Sequence, residues 1–407
     1  MPSQYRSFRN SLPYLILSLE AIFILLFYFL FPNDVGSWPL TRYPAFQDVN
    51  HMVIFGFGFF LTFLRRYGFS STGFNLLVIV LGVQYSLLTQ GLFNLLLELP
   101  RSAGLASITK AVLSMAAVAI SSGAVLGKTN PLQLILMTVV EIIAFHLSKF
   151  INRRFLQVPE DIGMMHVLLF GAYFGLAASW CFSEPPPRCE KNMSTPKSTL
   201  FSMLGTLFLW VFWPSFNSVL SPVAKWRTIY NTYFALAVSA VMAFVLSAMT
   251  SKDGKLRMAH IHSSVLAGGV ALSYTADRIK CPGIAMILGL LASSVSILGS
   301  HCSQRCFNPP LKLHDSSGIH FTFGLPAVLG ALAQVILLII ENEILLPSLG
   351  YRVVISIGAF CVTISIALIT GLITGLILNL RLFKTIPTSK YFEDQFYWEV
   401  SFSSKWT

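Results

Sequence analysis

The sequence contains few charged residues for its length. Asp, Glu, Lys and Arg together make up 11% of its 407 residues, whereas soluble domains carry about 25%. Apolar residues make up 55%, and the mean hydropathy is +0.69. A chain with so few charges cannot cover its own surface in water. This excludes an ordinary soluble domain and indicates that most of the surface faces lipid.

Motifs of enzymes and metal sites are also missing. The sequence has no phosphate-binding P-loop, no dinucleotide-binding glycine motif after a strand and no HExxH. Its serines have no histidine and carboxylate in a recognisable catalytic arrangement. Cys302 and Cys306 lie beside His301, but no second half of a zinc site accompanies them. We therefore expect no enzymatic activity, no metal ion and no cofactor.

The net charge of +11 does not indicate a nucleic-acid-binding protein. Lys and Arg are scattered between apolar runs instead of being clustered on one segment. This distribution is typical of the loops of a membrane protein, so we expect a lipid bilayer as partner and no nucleic acid.

Long apolar runs are abundant. A helix of about 20 apolar residues crosses the ~30 Å hydrocarbon core of a bilayer. By this criterion we predict spans at 13–31, 50–65, 73–98, 108–127, 131–149, 164–182, 199–219, 230–250, 258–277, 282–300, 319–341 and 351–380. The fold class is thus an all-α polytopic membrane protein of about 12 transmembrane helices. We predict a membrane domain at 1–380 and a cytoplasmic C-terminal tail at 381–407.

The positions of Lys and Arg predict the orientation. An even number of spans places both termini on one side of the membrane. When the loops are assigned alternately, the side with the termini receives more Lys and Arg than the other. Because cytoplasmic loops are enriched in these residues, we predict cytoplasmic N- and C-termini.

Ionisable residues fall inside several of the predicted spans. Glu20 and Glu141 lie near the middle of theirs, and we expect each to hydrogen-bond a neighbouring helix. His166 and His320 lie early in their spans. Two such histidines are also compatible with a proton relay, and this alternative stays open.

Several sequence strings resemble the Rh family of the ammonium transporter superfamily. They include RRYGFSSTGFNL at 65–76, GAVLGK at 123–128, GAYFGL at 171–176, WPSFNS at 213–218, SGIHFTFGLP at 317–326 and YFEDQFYWE at 391–399. MMH at 164–166 and NTYFALAVSA at 231–240 resemble the blood-group branch of that family in particular. The resemblance implies an ammonium-transporter-like bundle with two inverted halves, a trimer, and a narrow pore in each protomer.

In conducting members of the family, two histidines meet in the middle of the pore. The motifs place the corresponding positions at Leu168, three residues before GAYFGL, and at Phe323, immediately before Gly324. His166 is two residues from the first position, which rotates its side chain by ~200° on a helix. His320 is about one turn from the second. The resemblance therefore implies that both pore histidines are replaced.

The other pore positions are only partly retained. Phe216 matches one of the two aromatic gate residues of the family, whereas Ser122 stands where we align the second. Glu160 occupies the position of an acidic residue in the vestibule, with Asp161 as the neighbouring candidate. These matches predict an entrance that still attracts cations above a degenerate pore.

Two functions follow from the resemblance. The favoured one is a structural or assembly subunit of a red-cell Rh membrane complex in the plasma membrane. Its partners would be an Rh-associated glycoprotein or like subunits in a trimer, and the ankyrin and spectrin skeleton. The alternative is a functional channel for ammonia or ammonium, with carbon dioxide as a further candidate. A third hypothesis is a proton-coupled carrier that uses His166 and His320.

Overall fold

The computed structural model describes residues 3–30, 43–96, 104–158, 160–185, 190–221, 224–251, 253–306, 314–341, 346–383 and 385–399. Within them the chain forms helices close to the predicted spans. In chain order these are α1 (Ser3–Leu30), α2 (43–63), α3 (Gly68–Leu96), α4 (Leu105–Ala124), α5 (Pro131–Phe155), α6 (160–180), α7 (Pro196–Leu220), α8 (Lys225–Thr250), α9 (258–272), α10 (Pro282–Cys306), α11 (320–341) and α12 (Leu346–Leu378). The predicted all-α polytopic fold is confirmed.

Three of these helices are interrupted. The π-helical segment Met52–Gly56 lies within α2, α6 is broken between Glu160–Met165 and Val167–Trp180, and α9 consists of Met258–Ser264 and Ala267–Leu272. The other nine helices of the described residues are long and apolar enough to cross a membrane. Irregular backbone at membrane depth needs protein around it to satisfy its polar groups. The interrupted helices accordingly contribute many buried residues to the core.

The packing of α2–α6 is repeated by α7–α11. In the first set α3 packs against α4 and α5, and α4 packs against α6; in the second, α8 packs against α9 and α10, and α9 packs against α11. Each set contains five crossing segments, so the second begins on the opposite face of the membrane from the first. The two halves are therefore inverted relative to each other, a common design of transporters.

Two glycines make the same contact in the two halves. A Cβ on Gly175 of α6 would lie 2.6 Å from the Ser121 Cα of α4, and one on Gly330 of α11 would lie 2.2 Å from the Ala271 carbonyl oxygen of α9. Small residues allow helix backbones to approach closely in membranes. Gly175 follows Leu168 by seven residues, and Gly330 follows Phe323 by the same number. The repeat thus gives Leu168 and Phe323 equivalent places in the two halves.

The two glutamates inside the spans bond neighbouring helices, as expected. The Gln84 amide of α3 donates to Glu20 of α1 over 3.2 Å, and the Ser121 hydroxyl of α4 donates to the buried carboxylate of Glu141 in α5. Both acids thus serve helix packing.

The last described segment, 385–399, lies against one end of the helix bundle, which we call the tail face. The Asp394 carboxylate accepts the Phe69 and Ser70 N–H groups at 2.9 and 2.8 Å, at the start of α3. The Phe392 N–H donates to the Gly127 carbonyl between α4 and α5 over 3.0 Å. The Lys191 ammonium lies 2.6 Å from Glu393. The tail therefore connects three turns of the membrane domain, and the boundary at residue 381 stays a prediction.

Candidate pore site

Leu168 lies in the interior of the helix bundle. The break in α6 falls at His166, whose backbone angles of φ −76° and ψ 0° precede the helix Val167–Trp180. The side chain of Leu168 is 0% exposed. A water-sized probe therefore finds no surface of this residue to contact.

Phe323 lies on the first turn of α11, in the π-helical segment His320–Gly324. This turn packs against α6, where a Cβ on Gly324 would lie 3.6 Å from the Ala172 Cβ. Phe323 is 1% exposed. The two predicted pore positions thus come from adjoining segments, and both residues are apolar and buried.

Aromatic rings surround Phe323. Its ring centroid lies 5.9 Å from that of Phe57, 5.8 Å from Phe60 and 6.3 Å from Trp213, and Trp213 is in turn 5.8 Å from Phe216. These separations are typical of favourable aromatic pairs. We call these five residues the aromatic cluster. It joins α2, α7 and α11. The sequence motifs pointed only to Phe216 and Phe323; the phenylalanine-rich FGFGFF at 55–60 was the signal for Phe57 and Phe60, and Trp213 begins the WPSFNS string.

His166 and His320 lie in different surroundings. The His166 ring is edge-on to Tyr274, with centroids 5.4 Å apart, whereas the His320 ring is edge-on to Tyr173 at 5.9 Å. The two histidines thus contact different residues, and their ring contacts do not bring them together. The geometry gives no support to a relay in which they share a proton.

Phe216 and Ser122 lie near opposite ends of the bundle. Phe216 is fully buried near the end of α7 farther from the tail face. Ser122 is close to the end of α4 on the tail face, in a pocket that Tyr67, Ser70 and Gly127 also line. The two residues therefore do not face each other across one gate. A motif alignment could not reveal this, because it does not show how deep each residue lies in the membrane.

The acidic candidates Glu160 and Asp161 are the first two residues of the helix Glu160–Met165 in α6. Their side chains lie outside the described part of the structure. Their assignment as vestibule acids stays a prediction.

His262 is the histidine in contact with the aromatic cluster. Its ring stacks on Phe60 with centroids 4.0 Å apart, and Nε2 lies 2.5 Å from the Ser202 hydroxyl and 3.1 Å from the Phe60 carbonyl oxygen. His262 lies near the beginning of the predicted span 258–277. The nearby LAGGVA string at 266–271 packs closely, because a Cβ on Gly268 would lie 2.6 Å from the Ala235 carbonyl oxygen.

The tail face carries a buried lysine between α4 and α5. Lys128 is 1% exposed, and its ammonium donates to the His314 carbonyl over 2.6 Å and to the Ser179 hydroxyl over 3.0 Å. Burial lowers the pKa of Lys128 to about 7, although Asp315 and Glu184 partly oppose the shift. Burial also raises the pKa of Asp315, which accepts the His320 N–H at 2.9 Å. This face is thus polar where the aromatic cluster is apolar.

The inverted halves, the interrupted central helices and the paired positions on α6 and α11 define a polytopic membrane protein of the transporter class. Comparison with known families matches residues 37–394 to the Ammonium Transporter Family. The chain belongs to this family and, within it, to the Rh proteins.

Its relatives support this placement over the whole length. The chain is 41% identical to the blood group Rh(D) polypeptide of Rattus norvegicus and 40% identical to an RH-like protein of Macaca mulatta, with 98% of both chains covered in each case. Among solved structures, it resembles Nitrosomonas europaea Rh50 with a TM-score of 0.76 and 28% identity. That match covers 88% of this chain and 92% of the other. The predicted resemblance to the blood-group branch is confirmed.

Proposed function

We propose that this chain is an Rh-family membrane subunit with a degenerate ammonium-channel pore, acting mainly in the assembly of an Rh membrane complex. The observation that carries the proposal is the burial of Leu168 and Phe323. Their exposed fractions are 0% and 1%, and Phe323 packs against three rings of the aromatic cluster.

The physical argument concerns desolvation. An ammonium ion that enters a narrow apolar passage loses its hydration, and neither Leu168 nor Phe323 carries a hydrogen-bond acceptor to replace it. Hydrophobic constrictions close pores to ions by excluding water. Loss of only one of two paired histidines would leave the other unpaired at a cost of about 1–3 kcal/mol, whereas replacing both by apolar groups is nearly neutral. A stable protein with a closed pore is the consequence.

The proposed partners follow from membership of the Rh family. We propose a trimer with an Rh-associated glycoprotein or like subunits, linked to ankyrin and spectrin in the erythroid plasma membrane. The lipid-facing apolar surface of α7 and α8 supports association within the bilayer, with exposed residues such as Leu207, Val211 and Val241. Co-purification of the tagged chain from erythroid membranes tests this role. Recovery of the chain free of any other Rh subunit would contradict it.

The test of the pore is ammonia flux into proteoliposomes by stopped flow. Wild-type protein is compared with empty liposomes, with a conducting Rh glycoprotein, and with the double variant Leu168→His/Phe323→His. We expect wild-type flux at the level of empty liposomes. The double variant Leu168→Met/Phe323→Leu, which keeps the positions apolar, serves as the matched control for disturbance of packing.

The alternative function is a channel for ammonia or ammonium, or for carbon dioxide, that works without the pore histidines. The retained Phe216 and the acidic pair at 160 and 161 are the features that favour it. Wild-type flux comparable to the conducting glycoprotein would establish this alternative and contradict the closed pore.

A further inference from the structure

Two buried polar groups meet at the break in α6. His166 is 3% exposed, and its ring is edge-on to Tyr274, which is 0% exposed and follows α9. The contact between His166 and Tyr274 involves neither Leu168 nor any residue of the aromatic cluster.

Neither group has a hydrogen-bond partner in the part of the chain that the structure describes. His166 Nδ1 and the Tyr274 hydroxyl are both buried and unpaired, and so is the hydroxyl of the next residue, Thr275. Leaving one such group unpaired destabilises the folded protein, and buried polar groups in proteins are almost always paired with protein or with ordered water. Two unpaired groups in ring contact point to a shared ligand.

The chemistry of the groups limits that ligand. Neutral imidazole Nδ1 is a donor or an acceptor according to its tautomer, and the phenol hydroxyl is both. A molecule that bridges them must donate and accept hydrogen bonds, and it must be small enough to fit between packed rings. Fully buried His166 and Tyr274 offer no charge to balance an ion, so a neutral molecule is favoured.

We propose that His166 and Tyr274 form a buried site for one small neutral molecule that donates and accepts hydrogen bonds. Water and ammonia share this chemistry. The site is separate from the pore positions, and its existence does not depend on whether the pore conducts.

A double-mutant cycle on the full-length protein in nanodiscs tests the site. The variants are Tyr274→Phe, His166→Phe and the two combined, and the readout is the midpoint of thermal unfolding. If a molecule bridges the groups, each single change leaves the other group and the ligand without a partner and lowers the midpoint. The midpoint of the combined variant then falls by less than the sum of the falls in the two single variants.

The matched control is Tyr233→Phe, which removes the same hydroxyl from a ring that is 50% exposed on α8. We expect little change there. If the site is empty, Tyr274→Phe merely removes an unpaired buried hydroxyl, so its midpoint stays the same or rises. That result, or additive losses in the cycle, would overturn the proposal.

The same samples distinguish the two ligands. Unfolding is repeated with increasing ammonium chloride at constant ionic strength and at a pH that sets the free ammonia concentration. A midpoint that rises with ammonia in the wild type but not in Tyr274→Phe assigns ammonia to the site, because a ligand of the folded state stabilises it by mass action. If the double-mutant cycle is non-additive but the midpoint does not rise with ammonia, the bound molecule is water.

A high-resolution experimental map gives an independent readout if a variant does not fold. Density within hydrogen-bond distance of both His166 Nδ1 and the Tyr274 hydroxyl supports the site. A direct hydrogen bond between the two side chains, with no density between them, overturns it.

Discussion

The aromatic cluster and the tail face are held together by different forces. In the aromatic cluster, the buried side chains of Phe323 and Trp213 pack ring against ring. At the tail face, Asp394 and Lys128 bind backbone groups of distant turns through charge-assisted hydrogen bonds. The difference teaches that the interior around Phe323 is held by apolar packing, whereas the helix ends at the tail face are fixed by directional polar contacts. Substitutions in the two regions should therefore differ in size and in pH dependence.

The largest effect is expected from Phe323→Ala. Removing a fully buried phenylalanine leaves a cavity among the rings of the aromatic cluster and costs about 3–5 kcal/mol. The free energy of unfolding in detergent micelles measures the loss. The control is Phe321→Ala, two residues away and only partly buried. Equal losses for the two variants would show that Phe323 has no special place in the packing.

The second prediction concerns the pH dependence that Lys128 causes. The pKa of its ammonium group is about 7 in the folded protein, against 10.5 for an ordinary lysine. Between these values the unfolded chain binds a proton that the folded protein does not, so the Lys128 contribution makes stability rise as pH rises. Lys128→Met should flatten the curve of unfolding free energy against pH in this window. If unfolding free energy changes with pH equally steeply in the variant and in the wild type, the shifted pKa of Lys128 is contradicted.

Asp394→Ala should have a moderate effect. The carboxylate accepts two backbone N–H groups at the start of α3, and loss of an acidic cap costs about 0.5–2 kcal/mol. Release of the tail should also make the chain after residue 385 a better substrate for limited proteolysis. Glu399→Ala, at an exposed position of the same tail, is the control and should leave both stability and cleavage as in the wild type.

The smallest effect is expected from Arg66→Met. The guanidinium lies 3.8 Å from Glu393, and the Arg66 side chain is 48% exposed. Exposed ion pairs contribute about 0–1 kcal/mol and are screened by salt. The variant should lose little stability at low salt and nothing measurable at high salt. A loss as large as that of Asp394→Ala would mean that ion pairing, not capping, holds the tail.

The fold could be predicted from the sequence to a large extent. The predicted spans correspond to the helices observed, including those that are interrupted. In lipid, each long apolar run must form its own backbone hydrogen bonds, which it does by becoming a helix. The motifs also predicted that Leu168 and Phe323 stand at the two pore positions of the family, and this assignment stays a prediction. The resemblance further predicted inverted halves, and the repeated contacts of Gly175 and Gly330 agree with it.

Some details of the site could not be predicted. Motif alignment paired Ser122 with Phe216, but their depths in the bundle depend on where α4 and α7 end. Similarly, the sequence could not show that His166 contacts Tyr274 or that Phe392 covers Gly127. Each of these contacts joins residues far apart in the chain.

The sequence by itself determined that the chain crosses the membrane many times. Composition and helical periodicity are local properties, and each span must form a helix in lipid on its own. Only the tertiary structure decided what fills the space beside Leu168 and Phe323, and where the tail rests. Those outcomes depend on close packing among α2, α6, α7 and α11, which no single segment encodes, because side chains in a dense interior fit only in relation to one another.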